Sequence, residues 1–152
     1  FIIIGQGDTS LENGIVSLSE KYKGKIVFFK GYNRAMARLS VAISDFIILP
    51  SIFEPCGLED FIAQIYGTIP IAHATGGLKK IISGKTGFLY SPDTASALFQ
   101  KTSGLIDLKM SDSSCFNSLI SYSASYVRDM YSWHKTAVEK YLPFFHSLLK
   151  TY

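Results

Sequence analysis

The strongest restriction on what this chain can fold into is a repeated change of hydrophobic period between Phe1 and Ile82. Short apolar runs of strand length alternate with segments whose apolar residues recur at helical spacing. "FIIIG" (Phe1 to Gly5) reads as a buried strand, and Leu11 to Tyr22 as a helix. "KIVFF" (Lys25 to Phe29) is the next strand, and Arg34 to Ile43 the next helix. "DFIIL" (Asp45 to Leu49) and "TIPIA" (Thr68 to Ala72) are two more strands, separated by a helix from about Leu58 to Tyr66. Continuous apolar strands that alternate with amphipathic helices predict a parallel sheet covered on both faces. Right-handed crossovers then give an α/β, doubly wound, Rossmann-like sheet.

Beyond "GKTGFLYSPD" the pattern changes. "GFLY" is a last short strand, Pro92 and Asp93 mark a helix start, and the remainder to Tyr152 is helical. Leu98, Leu105, Ile106, Leu119, Ile120, Tyr126, Val127, Trp133, Tyr141, Phe144, Phe145 and Leu148 give this tail its packing face. The expected organisation is one lobe over residues 1–152, alternating to about 92 and helical from about 93. A length of 152 residues suits one domain, and 47% hydrophobic against 18% charged residues excludes disorder. The net charge of +3, with both signs interleaved, excludes a nucleic-acid patch, so that an anionic partner, if there is one, should be small. No apolar stretch has the length of a membrane span. Cys56 and Cys115 lack metal-ligand spacing and read as reduced thiols in a cytoplasmic setting. Phe1 already stands inside a strand, so the chain is expected to be a piece of a longer protein.

In a doubly wound sheet, ligands bind beyond the carboxyl ends of the strands, which directs attention to the loops there. After the third strand comes "LPSIFEPCGLEDF". Leu58, Phe61, Ile62 and Ile65 fall on one helical face that would bury against the sheet. Gly57 then lies near a helix N-terminus, where free N–H groups and the helix dipole favour phosphate. Glu54 is placed to accept hydrogen bonds from a neutral hydroxylated group, and a hexose on a diphosphate would separate that carboxylate from the phosphates. The plainer alternative is that Glu54 caps the helix and Gly57 eases a turn. "HATGGL" (His73 to Leu78) brings Thr75, Gly76 and Gly77 ahead of another helical turn, able to cradle a further part of such a ligand. His73 can donate to a sugar hydroxyl, or it is a plain loop residue.

"GQGD" after the first strand is half of a dinucleotide fingerprint. Leu11 and Glu12 stand where a third glycine is expected, so it is not read as a nicotinamide site. Tyr32 can stack on a base, or serve as core or surface. His134 and His146 are structural or exposed, and no Ser-His-Asp or metal-ligand grouping can be assembled.

The run "PSIFEPCGLEDFIAQIYGTIPIAHATGGL" resembles the signature of bacterial and plastid glycogen and starch synthases, which are retaining glucosyltransferases of the two-lobed GT-B type. "GQGD…LE", "KGYN", "GKTGFLY" and "YSWHKTAVEKY" extend the resemblance over most of the chain in the same order. It implies the C-terminal lobe, which holds the nucleotide-sugar donor. Glu54 would contact the glucosyl hydroxyls as the catalytic-site residue, and the backbone of Cys56, Gly57 and Leu58 would meet sugar and diphosphate. Tyr32 would stack on adenine, with Glu59, Thr75, Gly76 and Gly77 completing the substrate-binding set. It further implies transfer from ADP-glucose to the non-reducing end of an α-1,4-glucan, with no cofactor or essential metal, while charge and run lengths speak against nucleic acid and membrane as partners. Two alternatives stand beside it: a GT-B glycosyltransferase with another nucleotide sugar or acceptor, and a non-catalytic interaction module derived from such a lobe.

Some positions depart from the family pattern. Glu59 and Asp60 stand where the family usually places a Thr and its neighbour. Two carboxylates suit a helix's first turn by about 0.3–1 kcal/mol each, but either one would weaken donor binding if turned toward the diphosphate. A second glutamate eight residues after the first is replaced by Ile62. The Arg- and Lys-bearing loop that neutralises the diphosphate, and the N-terminal lobe, are not in the sequence, so this chain alone is expected to be inactive.

Overall fold

The computed structural model describes residues 1–149 and resolves them into two compact units, Phe1–Ser44 and the residues from Asp45 onward. The first unit contains β1 (Ile2–Gly5), α1 (Thr9–Lys21), β2 (Val27–Lys30) and α2 (Arg34–Ile43). The two strands pair in parallel, from Ile2 opposite Val27 to Gly5 opposite Lys30. Asp8 starts α1 by accepting hydrogen bonds from the amides of Ser10 at 2.8 Å and Leu11 at 3.3 Å. Glu12 departs from the glycine pattern for a visible reason. It is buried, accepts the Gly7 N–H at 2.9 Å and pairs with Lys30 Nζ at 2.7 Å. The bond from Lys30, then that from Gly7, hold its carboxyl below the ordinary value. The loop after β1 is therefore organised around the protein's own carboxylate.

The second unit contains β3 (Phe46–Leu49), α3 (Glu59–Tyr66), β4 (Ile69–His73), a 3-10 turn (Gly76–Lys80) and β5 (Phe88–Tyr90). The long helices α4 (Ala95–Ser111) and α5 (Ser113–Tyr131) follow, then α6 (Trp133–Thr136), a π turn (Ala137–Tyr141) and α7 (Leu142–Leu149). The strands run parallel in the order β3-β4-β5. Parallel strands joined by helices are the expected Rossmann-like α/β arrangement, with element boundaries within two residues of expectation throughout the alternating part. The last three residues of the predicted helical tail lie outside the described residues.

Central β4 is covered on both faces, as its unbroken apolar run requires. Ile69 packs with Phe116 and Leu119 of α5, and Ile71 with Tyr90 and with Leu105 of α4. On the opposite face Ala72 meets Leu78 and Ile81. Pro70 stands inside this strand without breaking it. Pairing with β5 begins only at Ile71 opposite Phe88. A Cβ on Gly87 would lie 2.6 Å from the Pro70 ring, so the glycine leaves that ring its space.

Two expectations need correction. α3 does not bury Leu58, Phe61, Ile62 and Ile65 together: Leu58, Ile62 and Ile65 are exposed and Phe61 is half-buried, while Asp60, Ala63 and Gln64 are buried. The helix is rotated because its inward face is held by polar bonds. Gln64 Nε2 donates to the Asp60 carbonyl at 2.9 Å, and Ser123 Oγ of α5 donates to Gln64 Oε1 at 2.9 Å. Second, the tail's packing face stops at α5. Leu105, Leu119 and Val127 are buried, but Trp133, Tyr141, Phe144, Phe145 and Leu148 are exposed, because α6 and α7 run on past the last turn that meets the sheet layer. The helix start marked by Pro92 and Asp93 is that of α4, which is capped by Thr94, whose Oγ1 accepts the Ala97 N–H at 3.2 Å.

Because Ser123 is fully buried and serves Gln64, Ser123→Ala should cost about 1–3 kcal/mol by stranding the Gln64 oxygen. Chemical denaturation of the two proteins measures this. A difference below about 0.5 kcal/mol, the usual scatter for a neutral surface change, would show that the bond is not what holds α3 in its rotation.

Candidate functional site

The loops at the carboxyl ends of β3 and β4 lie against each other. Residues 51–57 form one and residues 73–80 the other, and the second loop supplies donors to the carbonyls of the first in chain order. His73 Nδ1 is 2.8 Å from the Ser51 oxygen, and Thr75 Oγ1 donates to Ile52 at 3.2 Å. The Gly77 N–H donates to Glu54 at 2.7 Å. Lys80 Nζ closes the series, donating to the carbonyls of Cys56 at 2.5 Å and Gly57 at 2.6 Å. A carbonyl only accepts, so His73 donates to it through Nδ1.

The glycines of "TGGL" serve this contact. A Cβ on Gly77 would stand 2.1 Å from the Cys56 oxygen, and one on Gly76, whose φ is +43°, 1.9 Å from the Glu54 oxygen. The pair lets two backbones touch. Gly57, with φ +74°, turns the chain so that both Cys56 and Gly57 present their carbonyls to Lys80.

Glu54 is half-buried, and its Oε1 accepts the Gly57 N–H at 2.9 Å. It closes the turn ahead of the helix and is not the residue that precedes α3. Leu58 holds that place and makes no side-chain capping bond. In a trans peptide the Leu58 N–H is antiparallel to the Gly57 carbonyl, so it is directed away from Lys80. Cys56, Leu58 and Glu59 are exposed beside it.

Asp60 and Lys80 form an ion pair that the sequence pattern did not connect. Asp60 is 0% exposed and its Oδ1 lies 3.1 Å from Lys80 Nζ, which also stands 4.2 Å above the Phe61 ring. Burial outweighs the ammonium and pushes the Asp60 carboxyl above its ordinary value. Tyr131 of α5 packs on Phe61 with ring centroids 4.5 Å apart, and burial raises its phenol as well. Of the two acids after Leu58, then, Asp60 is turned inward onto a cation and Glu59 is left exposed. Losing Lys80 alone would strand a buried carboxylate, at a cost of about 3–5 kcal/mol. The sequence signal for this pair was an acid in a helix's first turn and a lysine after a Gly-Gly turn, which no spacing rule connects.

The structure thus brings Glu54, Cys56, Gly57, Thr75, Gly76 and Gly77 into one loop pair, with Leu58 and Glu59 on its exposed side. Tyr32 belongs to the first unit, in the loop after β2, where its side chain is exposed ahead of the Asn33 cap of α2.

Known proteins share both the sequence pattern and the fold. A family model described as "Glycosyl transferases group 1" matches residues 1–107. Over 104 residues the chain is 38% identical to a glycogen synthase of Leptospira biflexa, covering 64% of this chain and 22% of that protein. Over 97 residues it is 43% identical to a glycogen synthase of Xanthomonas campestris pv. campestris, covering 63% and 20%. It therefore spans about a fifth of the length of these curated relatives. Its fold is similar to that of the catalytic domain of starch synthase IV from Arabidopsis thaliana, solved with ADP and acarbose. That match has a TM-score of 0.82 at 24% identity and covers 97% of this chain and 32% of that one. A sucrose-phosphate synthase from Thermosynechococcus elongatus matches with a TM-score of 0.73 at 23% identity, covering 99% and 39%.

The packing of the loops predicts a severe effect at one glycine. Gly77→Ala should destabilise the protein by at least about 2–3 kcal/mol, since neither backbone can yield to the new methyl group. Thermal unfolding checks it, and an unshifted melting curve would mean that the two loops do not pack as described.

Proposed function

This chain belongs to the glycosyl transferases group 1 family, and on that footing we propose that it is the donor-binding lobe of a retaining glucosyltransferase of the glycogen synthase type. The donor is ADP-glucose and the acceptor the non-reducing end of an α-1,4-glucan. The two relatives named glycogen synthase support the choice of acceptor, and the starch synthase IV solved with ADP supports the choice of nucleotide. The observation that carries it is the loop of residues 51–57, whose carbonyls are held from behind while Leu58 and Glu59 at the start of α3 are exposed.

The site's residues divide the work of holding the donor. Glu54 keeps one oxygen on the Gly57 amide and offers the other to glucosyl hydroxyls, which orients the anomeric carbon. The Leu58 amide and the first turn of α3 receive the diphosphate. Their positive dipoles stabilise it as it departs and gains negative charge. Glu59 limits how closely the phosphates approach and so tunes affinity. Thr75, Gly76 and Gly77 act from behind the loop by fixing its backbone. The intact protein supplies the acceptor cleft, and this chain alone is inactive. We place the enzyme in the cytoplasm, where Cys56 and Cys115 remain as the free, exposed thiols seen here.

The test uses the intact protein with ADP-glucose, UDP-glucose and GDP-mannose, and glycogen as acceptor. ADP-glucose should give the highest kcat/KM. Glu54→Ala should lower turnover about 100-fold, as expected when the reacting centre loses its positioning contact, with the fold retained by circular dichroism. ADP-glucose proving no better than the other donors would remove the substrate assignment. Unchanged glucan synthesis by the variant would remove Glu54 from the reaction.

A further inference from the structure

Lys80 is a nearly buried cation on the 3-10 turn, with its side chain 17% exposed, and it makes more contacts than pairing with Asp60 requires. One ammonium reaches two successive carbonyls, Cys56 at 2.5 Å and Gly57 at 2.6 Å, and an acid at 3.1 Å. The contacts to the carbonyls are charge-assisted and so stronger than neutral hydrogen bonds. Two carbonyls held by one point fix two adjacent peptide planes. The N–H of each plane is antiparallel to its carbonyl, so this also fixes the directions of the Gly57 and Leu58 amides. The Gly57 amide meets Glu54 Oε1, and the Leu58 amide faces the exposed side of the loop. Glycine at 57 is required twice over. Its φ of +74° is unfavourable to other residues, and a Cβ would stand 3.0 Å from Lys80 Nζ and 2.9 Å from Leu78.

We propose that Lys80 is a positioning residue for transfer. By clamping the carbonyls of Cys56 and Gly57 it aims the Leu58 amide at the leaving diphosphate and holds Glu54 on the sugar side. This rests on the donor-site assignment made above. Asp60 plays a separate part, keeping the ammonium beneath the loop and out of reach of phosphate, so that the cation acts through the backbone. The consequence is a division between binding and turnover. The amide's contact strengthens as charge builds on the diphosphate, so its misdirection is felt more by ADP, which carries that charge, and by kcat than by the KM for ADP-glucose.

The experiment compares Lys80→Met/Asp60→Asn with Asp60→Asn in the intact protein. Removing both charges together avoids a stranded carboxylate, so the double variant should fold and melt near its parent. ADP affinity by calorimetry and kcat should each fall about ten- to hundredfold relative to Asp60→Asn, with a smaller change in the donor KM. Lys80→Arg, which keeps charge and donors, should recover part of the loss. If the double variant does not fold, Lys80→Gln in the same background replaces it. That side chain holds one carbonyl, and an intermediate loss is expected. ADP affinity and kcat equal to those of Asp60→Asn, in a folded variant, would overturn the role of Lys80. Wild-type protein that binds no ADP would instead overturn the donor-site assignment, and this inference with it.

Discussion

A loop that leaves a buried strand must find partners for its carbonyls, and in this protein those partners come from one neighbouring segment. His73, Thr75, Gly77 and Lys80 serve Ser51, Ile52, Glu54, Cys56 and Gly57 in order along the chain. Backbone acceptors left unpaired in a half-buried loop would each cost about 1–3 kcal/mol, so the series is a substantial constraint. It has a direction as well as a magnitude. When carbonyls are gathered to one side, the amides of the same peptide planes turn to the other. The parallel strands β3 and β4 make this possible by delivering both loops to the same end of the sheet.

The ion pair beneath the loop belongs to this constraint. A buried carboxylate is costly, and Asp60 responds with a raised pKa even beside an ammonium. An apolar pair of similar volume would be as stable or more so. A lysine that reaches two carbonyls does what an apolar residue cannot, which accounts for a costly pair at this place. The polar inward face of α3 follows the same logic, since Gln64 and Ser123 anchor the helix whose first turn carries Asp60.

The alternation of strands and helices was legible because each apolar run is long enough to be buried on both faces and each helix has its own period. Asp8, Asn33 and Thr94 show the local rules at work, each accepting a backbone N–H at a helix start. The identity of the loop residues was legible too, since "FEPCGL" and "TGGL" place unusual residues at strand ends. Their contacts were not. Gly76 and Gly77 invite a reading as a ligand cradle, but the atoms they approach belong to Glu54 and Cys56. Lys80 and Asp60 stand far apart in the chain, and nothing local to either tells that the turn and the helix meet. The burial of α3 was misjudged for a related reason. Apolar periodicity assumes that apolar contact decides rotation, whereas the hydrogen bond from Ser123 of α5 and the ion pair to Lys80 decide it here.

The proposed donor binding at this loop pair therefore depends on whether the Leu58 amide at the start of α3 meets a diphosphate. A crystal structure of the intact protein with ADP examines this at atomic level. The expected result is a terminal phosphate oxygen within hydrogen-bond distance of the Leu58 nitrogen, with Lys80 still on the carbonyls of Cys56 and Gly57. A phosphate bound instead by Lys80 itself, or at the loop after β1 where Glu12 now holds the Gly7 amide, would show that the loop pair is scaffolding and not a donor site.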